Sequence, residues 1–81
     1  MVTVYTKDYC PYCTAAKSLL KDNNVPFQEV KIESNDDETW KNLVKRSGMR
    51  TVPQIFHNDK LIGGFDQLSA LNKTQGLEHL K

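Results

Sequence analysis

The chain has only two cysteines, and they stand two residues apart in Cys10-Pro11-Tyr12-Cys13. The alternating, β-branched run Val2-Thr3-Val4-Tyr5-Thr6 precedes them and predicts a strand. The segment from Pro11 to about Asn23 follows with helical spacing, Tyr12, Ala15, Ala16, Leu19 and Leu20 forming one stripe. A strand that runs into C-x-x-C, with the pair opening a helix, is the pattern of a dithiol redox site. Proline between the cysteines suits the first helical position, where its missing N–H is not needed. Cys10 then falls at the helix N-cap and Cys13 three residues in, on the same side.

The spacing has a chemical purpose. A free cysteine is only a few per cent thiolate near neutral pH, and the unpaired N–H groups of a helix start favour the thiolate. The dipole contributes about 0.3–2 kcal/mol, so a large effect needs a second source. Lys7 is the nearest cation, with Asp8 as its opponent. At ~6 Å one lysine adds about 2.8 kcal/mol in an effective dielectric of ~20, against about 0.7 in water. A structural disulfide is disfavoured, because so short a loop constrains the unfolded chain very little. Zinc could draw on His57 and His79 by count, but their separation does not match the spacing of a finger.

Eighty-one residues fit one domain, read here as 1–81. A net charge of +1 implies no general attraction to nucleic acid or membrane. No apolar run is long enough for a membrane span and no leader pattern is visible, and a lone C-x-x-C fits the reducing cytoplasm.

Farther along, Asn23-Asn24 ends the first helix, and Val25-Pro26 turns the chain into a strand from Phe27 to Ile32, with Val30 and Ile32 on one face. Ser34 or Asn35 is the expected cap of a second helix, with Asp36, Asp37 and Glu38 in its first turn and Lys45 and Arg46 in its last. Its stripe is Trp40, Leu43, Val44 and Ser47, and Gly48 stops it. Lys41, Lys45, Arg46 and Arg50 read as a solvated face. In Thr51-Val52-Pro53-Gln54-Ile55-Phe56-His57 the proline argues for a strand start or an edge strand. Asn58-Asp59-Lys60 is a turn, Leu61-Ile62 a short strand pairing back, and Gly63-Gly64 a break. A last helix from about Asp66 carries Leu68, Leu71, Leu77 and Leu80, with Gly76 interrupting it. The order is β-α-β-α-β-β-α, with a parallel first β-α-β unit and a terminal hairpin.

Three motifs in this order and spacing resemble the glutaredoxins over almost the whole chain: Thr6-Lys7-x-x-Cys10-Pro11-Tyr12-Cys13, Thr51-Val52-Pro53 and Gly63-Gly64-Phe65-Asp66. The resemblance implies an α/β thioredoxin fold, a four-stranded mixed sheet flanked by helices. It implies a glutathione-dependent oxidoreductase with Cys10 as nucleophile and Cys13 as resolving thiol. Pro53 would be cis, with the Val52 backbone pairing with the cysteinyl part of glutathione. Lys7 would take the glycine carboxylate, and Tyr12 and Thr51 would lie along the groove. The backbone around Gly64, Phe65, Asp66 and Gln67 would hold the γ-glutamyl end at a helix start.

Many relatives carry Asp where this chain has Gln67, and Gln or Arg where it has Trp40. The Phe65-Asp66-Gln67-Leu68 ending is similar to some bacteriophage members, which points to a ribonucleotide reductase as partner. The resemblance further implies a monomer acting on disulfide-containing or glutathionylated proteins, without a resident metal. A glutathione-linked [2Fe–2S] dimer is the alternative of a different class; members that form it usually carry a smaller residue than Pro11. A dithiol protein reduced by a flavoprotein is the third reading, disfavoured by the groove residues.

Overall fold

Val2, Val4 and Thr6 alternate with Thr3 and Tyr5, and a strand exposes such an alternation to two different faces. In the computed structural model, which describes residues 1–81, these residues form β1 (Val2–Thr6). The other elements are α1 (Pro11–Asp22), β2 (Phe27–Lys31), α2 (Asp37–Ser47), β3 (Gln54–His57), β4 (Lys60–Gly63) and α3 (Phe65–Thr74), with a closing 3₁₀ turn at Glu78–Leu80. The strands form one mixed sheet in the order β2-β1-β3-β4. β2 lies parallel to β1, β3 antiparallel to β1, and β4 antiparallel to β3. This is the thioredoxin fold in the expected element order.

Two cores cover the two faces. Val2, Val4 and Ile55 pack with Ala16 and Leu20 of α1, Leu68 of α3, and Leu77 and Leu80. Ile32, Leu43 and Phe56 form the second cluster, under α2, with Tyr5 and Trp40 against it. Ile55 pairs with Val4 and Phe56 with Thr3, so neighbours on β3 serve opposite cores. That is why the adjacent Ile55 and Phe56 are both buried. Fully burying one such aliphatic side chain contributes about 1.5–3 kcal/mol.

Three expectations need correction. β3 is a central strand, so of the two readings of Pro53 the edge fails and the strand start holds: Pro53 stands just before its first residue, where its missing donor breaks no ladder bond. The cap of α2 is Asp36, not Ser34 or Asn35. Asp36 N–H donates to Glu33 O at 3.0 Å, which places Ser34 and Asn35 at the centre of a turn. The Asp36 carboxylate then accepts the Thr39 N–H at 3.1 Å and the Thr39 hydroxyl at 2.7 Å, and these bonds lower its pKa. In α1 the buried stripe is Cys13, Ala16 and Leu20, while Tyr12 is 63 % exposed. Tyr12 faces Phe65 of α3 instead, ring centroids 6.1 Å apart. Gly48 closes α2 in the left-handed conformation (φ 74°), as its position predicts.

Candidate active site

The β1–α1 turn fixes the dithiol. Tyr9 takes a left-handed conformation (φ 57°), Cys10 returns to extended geometry as N-cap, and Pro11 opens the helix. The Cys13 N–H donates to Cys10 Sγ at 3.1 Å, so the sulfur stands where a capping oxygen would. Cys10 Sγ in turn lies 3.7 Å from the Val52 carbonyl oxygen, to which its thiol donates. The Val52–Pro53 peptide is cis. The two thiols are free and differ in access: Cys10 is half-buried and Cys13 only 3 % exposed. Burial, and after it the hydrogen bond with Cys10, push the Cys13 thiol from 9.0 up to about 12.

Beside Cys10 a groove of about 430 Å³ runs between the cis-proline loop and the start of α3. Tyr12, Thr51, Val52, Pro53, Gly64, Phe65, Asp66 and Gln67 all line it. Segments distant in sequence thus meet on one surface, as expected. Tyr12 leans over the groove towards Phe65, their ring centroids 6.1 Å apart. At the far end Gly64 is the N-cap of α3 and has no side chain to offer. The Phe65, Asp66 and Gln67 amides find no acceptor within the chain, which leaves donors at a helix start open to an anion. Gln67 Oε1 accepts the Gly64 N–H at 2.9 Å, one half of a capping box. Gly63 makes room for it: at φ 129° a Cβ here would lie 2.8 Å from Gln67 Cβ and Cγ.

Lys7 is the expected groove residue that the wall leaves out. Its ammonium sits 3.6 Å from the centroid of the Trp40 ring. Trp40 packs against the Ile32–Leu43–Phe56 cluster and carries Lys7 on its face, and it is not part of the groove wall. Asp8, named as an opponent of Lys7, pairs with Lys31 at 2.8 Å instead. His57 and His79 face one another, ring centroids 6.4 Å apart. His57 pairs with Val2 at the start of β1, whereas the cysteines follow the end of that strand, roughly 13 Å farther along.

Three residues escaped the sequence reading. Met49 lines the groove. Gln54, fully buried, donates from Nε2 to Met49 O at 3.1 Å and Thr51 O at 3.0 Å, tying down the loop before Pro53. Tyr9 is fully exposed beside Cys10. A polar residue directly after Pro53 in an apolar strand was the available signal for Gln54; Met49 and Tyr9 had none.

The contrast in access gives a first expected result. Brief treatment of the reduced protein with iodoacetamide modifies Cys10 first, because Cys13 is both shielded and held as a thiol. Peptide mapping by mass checks this, and preferential modification of Cys13 would invert the order of the pair.

Comparison with known proteins agrees with this geometry. The glutaredoxin family model matches residues 2–62. Glutaredoxin 3 of Escherichia coli K12 is 48% identical over 79 residues, 98% of this chain and 94% of that protein. A Pseudomonas aeruginosa glutaredoxin is 39% identical over 79 residues, 98% of this chain and 93% of that one. Buckwheat glutaredoxin, solved as a glutathione complex, superposes with a TM-score of 0.88 at 31% identity over 98% of this chain and 74% of its own. Wheat glutaredoxin gives a TM-score of 0.88 at 40% identity, covering 98% and 76%. With fold, dithiol and near-full-length similarity in agreement, this chain belongs to the glutaredoxin family, and its chemistry is thiol–disulfide exchange.

Proposed function

We propose that this glutaredoxin reduces protein disulfides and glutathione mixed disulfides with glutathione as the reductant. Cys10 is the nucleophile. Its thiolate attacks one sulfur of the substrate disulfide, the other sulfur leaves as a thiolate, and a mixed disulfide remains on Cys10. Cys13 or a second glutathione then releases Cys10. The observation that carries this reading is the groove between the cis-proline loop and the start of α3, with free amide donors at the helix start and Cys10 against its Val52 wall.

Glutathione fits that groove by its chemistry. Its γ-glutamyl carboxylate meets the free amides of Phe65, Asp66 and Gln67 beyond Gly64. Its cysteinyl backbone pairs with Val52, whose N–H makes no bond within the chain. Tyr12, Thr51 and Pro53 flank it, with Asp66 near its ammonium. The glycine carboxylate is assigned to Lys7. An exposed cation–π contact is worth only about 0.5–1 kcal/mol, so the flexible lysine can leave Trp40 for a carboxylate. The buckwheat relative, a glutaredoxin solved in complex with glutathione, supports the same reading by similarity.

The protein substrates proposed are glutathionylated or disulfide-bonded proteins of the cytoplasm, a ribonucleotide reductase among them. No helix is long and apolar enough to cross a membrane. The test is turnover of a small glutathione mixed disulfide in an assay coupled to glutathione reductase. The rate is expected to rise with glutathione and to vanish without it. Equal turnover with a flavoprotein dithiol reductase and no glutathione would contradict the proposal.

A further inference from the structure

Behind the dithiol, on the side away from the groove, a cavity of about 510 Å³ opens between the β1–α1 turn, α1 and the edge strand β2. Cys13, Lys17 and Glu29 share its wall. Their meeting follows from helix period and strand register. Lys17 stands one turn after Cys13 on the same stripe of α1. Glu29 pairs with Val4 and Lys31 with Thr6, which directs Glu29 to the α1 face of the sheet together with Val4 and Thr6. There the Lys17 ammonium donates to both Glu29 carboxylate oxygens, at 3.1 and 3.2 Å. The hydroxyl of Thr6, itself 1 % exposed, adds a bond to Glu29 Oε2 at 2.7 Å. Thr6 first, and Lys17 after it, hold the Glu29 carboxyl below its ordinary pKa, so it stays ionised.

In the proposed reaction this cavity bears on the least favourable step. Cys13 must lose its proton to solvent before it can act. Its thiolate then attacks Cys10 Sγ, the Cys10–Cys13 disulfide forms as the Cys10–glutathione S–S bond breaks, and glutathione leaves as a thiolate that solvent reprotonates. Electrons balance within the exchange. Burial opposes the Cys13 anion, while a hydrogen bond from the Lys7 backbone N–H and, after it, the charge of Lys17 favour it.

The other charged or titratable groups of the cavity are Lys7, Asp8, Tyr9, Cys10 and Lys31. The Lys7 ammonium lies out over Trp40 and, with glutathione on Cys10, is the cation assigned to the glycine carboxylate, and Asp8 and Lys31 pair with each other. Tyr9 points to solvent, and Cys10 carries no charge while it is a disulfide. Of the cavity's charged side chains Lys17 is the one whose charge acts on the Cys13 anion, and Glu29 is the partner that offsets that charge.

We propose that the Lys17–Glu29 pair, held by Thr6, is a positioning device that sets how readily Cys13 becomes a thiolate. Through it the pair sets how often the mixed disulfide on Cys10 closes internally instead of waiting for a second glutathione. This inference rests on the reading of Cys13 as the resolving thiol.

The two partners have opposite signs, which makes the test sharp. The protein is loaded with one glutathione on Cys10 at low pH and jumped to a series of higher values, and glutathione release is followed. Lys17→Gln leaves a carboxylate facing Cys13, so closing slows and the midpoint of its pH profile moves up. Glu29→Gln leaves the ammonium uncompensated, so closing speeds up and the midpoint moves down. Shifts of about 0.5–1 unit are expected, about three- to tenfold in rate below the midpoint. Lys17→Arg keeps the charge and restores the wild-type profile. A merely structural role would slow both glutamine variants without opposite midpoint shifts. Unchanged profiles, or shifts in the same direction, would overturn the proposal. Wild-type protein that released no glutathione at any pH would instead overturn the resolving role of Cys13, and the proposal with it.

Discussion

Cys10→Ser protein is expected to have no measurable activity on either protein disulfides or glutathione mixed disulfides. Serine keeps the capping geometry, since its oxygen can accept the Cys13 N–H as Cys10 Sγ does. The helix therefore forms and the groove persists, so the loss reports chemistry and not folding. Cys13 cannot substitute. It is 3 % exposed, and the burial that is the main cause of its raised pKa remains in the variant, so it stays shielded and protonated at neutral pH. A loss of at least a thousandfold is expected in a glutathione-coupled assay, with thermal unfolding close to wild type as the control. Residual activity within tenfold of wild type would move the nucleophile to Cys13.

Cys13→Ser has a more selective outcome. On the proposed mechanism a glutathione mixed disulfide needs only one protein thiol, Cys10 taking the glutathionyl group and a second glutathione removing it. This variant keeps substantial activity on such substrates. A protein disulfide instead leaves Cys10 tethered to a bulky partner, and fast release needs a thiol already beside that bond. Cys13, whose N–H touches Cys10 Sγ, supplies it at high effective concentration. Without it, a covalent complex with the protein substrate accumulates on non-reducing gels. A Cys13→Ser protein inactive on the small substrate would rule out the single-thiol route.

What could be read in the sequence was what local physics determines. The strand running into Cys10-Pro11-Tyr12-Cys13, the proline at the first helical position and the left-handed Gly48 all depend on a few adjacent residues, and each stands as expected. Tyr12, the Thr51–Pro53 loop and the start of α3, named together by the resemblance, line one groove.

Two kinds of feature lie beyond local physics. One is competition between neighbours: Ser34 and Asn35 serve a turn, and Asp36 takes the cap because Thr39 offers it two donors. The other is the long-range partner. Nothing near Pro53 tells that β3 lies between β1 and β4, and nothing near Lys7 tells that its ammonium will find the Trp40 ring. The Thr6–Glu29–Lys17 cluster spans three elements and belongs to the same class.

The central claim is that Cys10 receives the glutathionyl group and Cys13 displaces it. Intact-mass and peptide-mass measurement after mixing reduced protein with glutathione disulfide tests it most directly. Cys13→Ser protein should hold a single glutathione, on Cys10, while wild type should pass through the same adduct to an internal Cys10–Cys13 disulfide that carries none. An adduct on Cys13, or a stable adduct on wild type with no internal disulfide, would contradict the account.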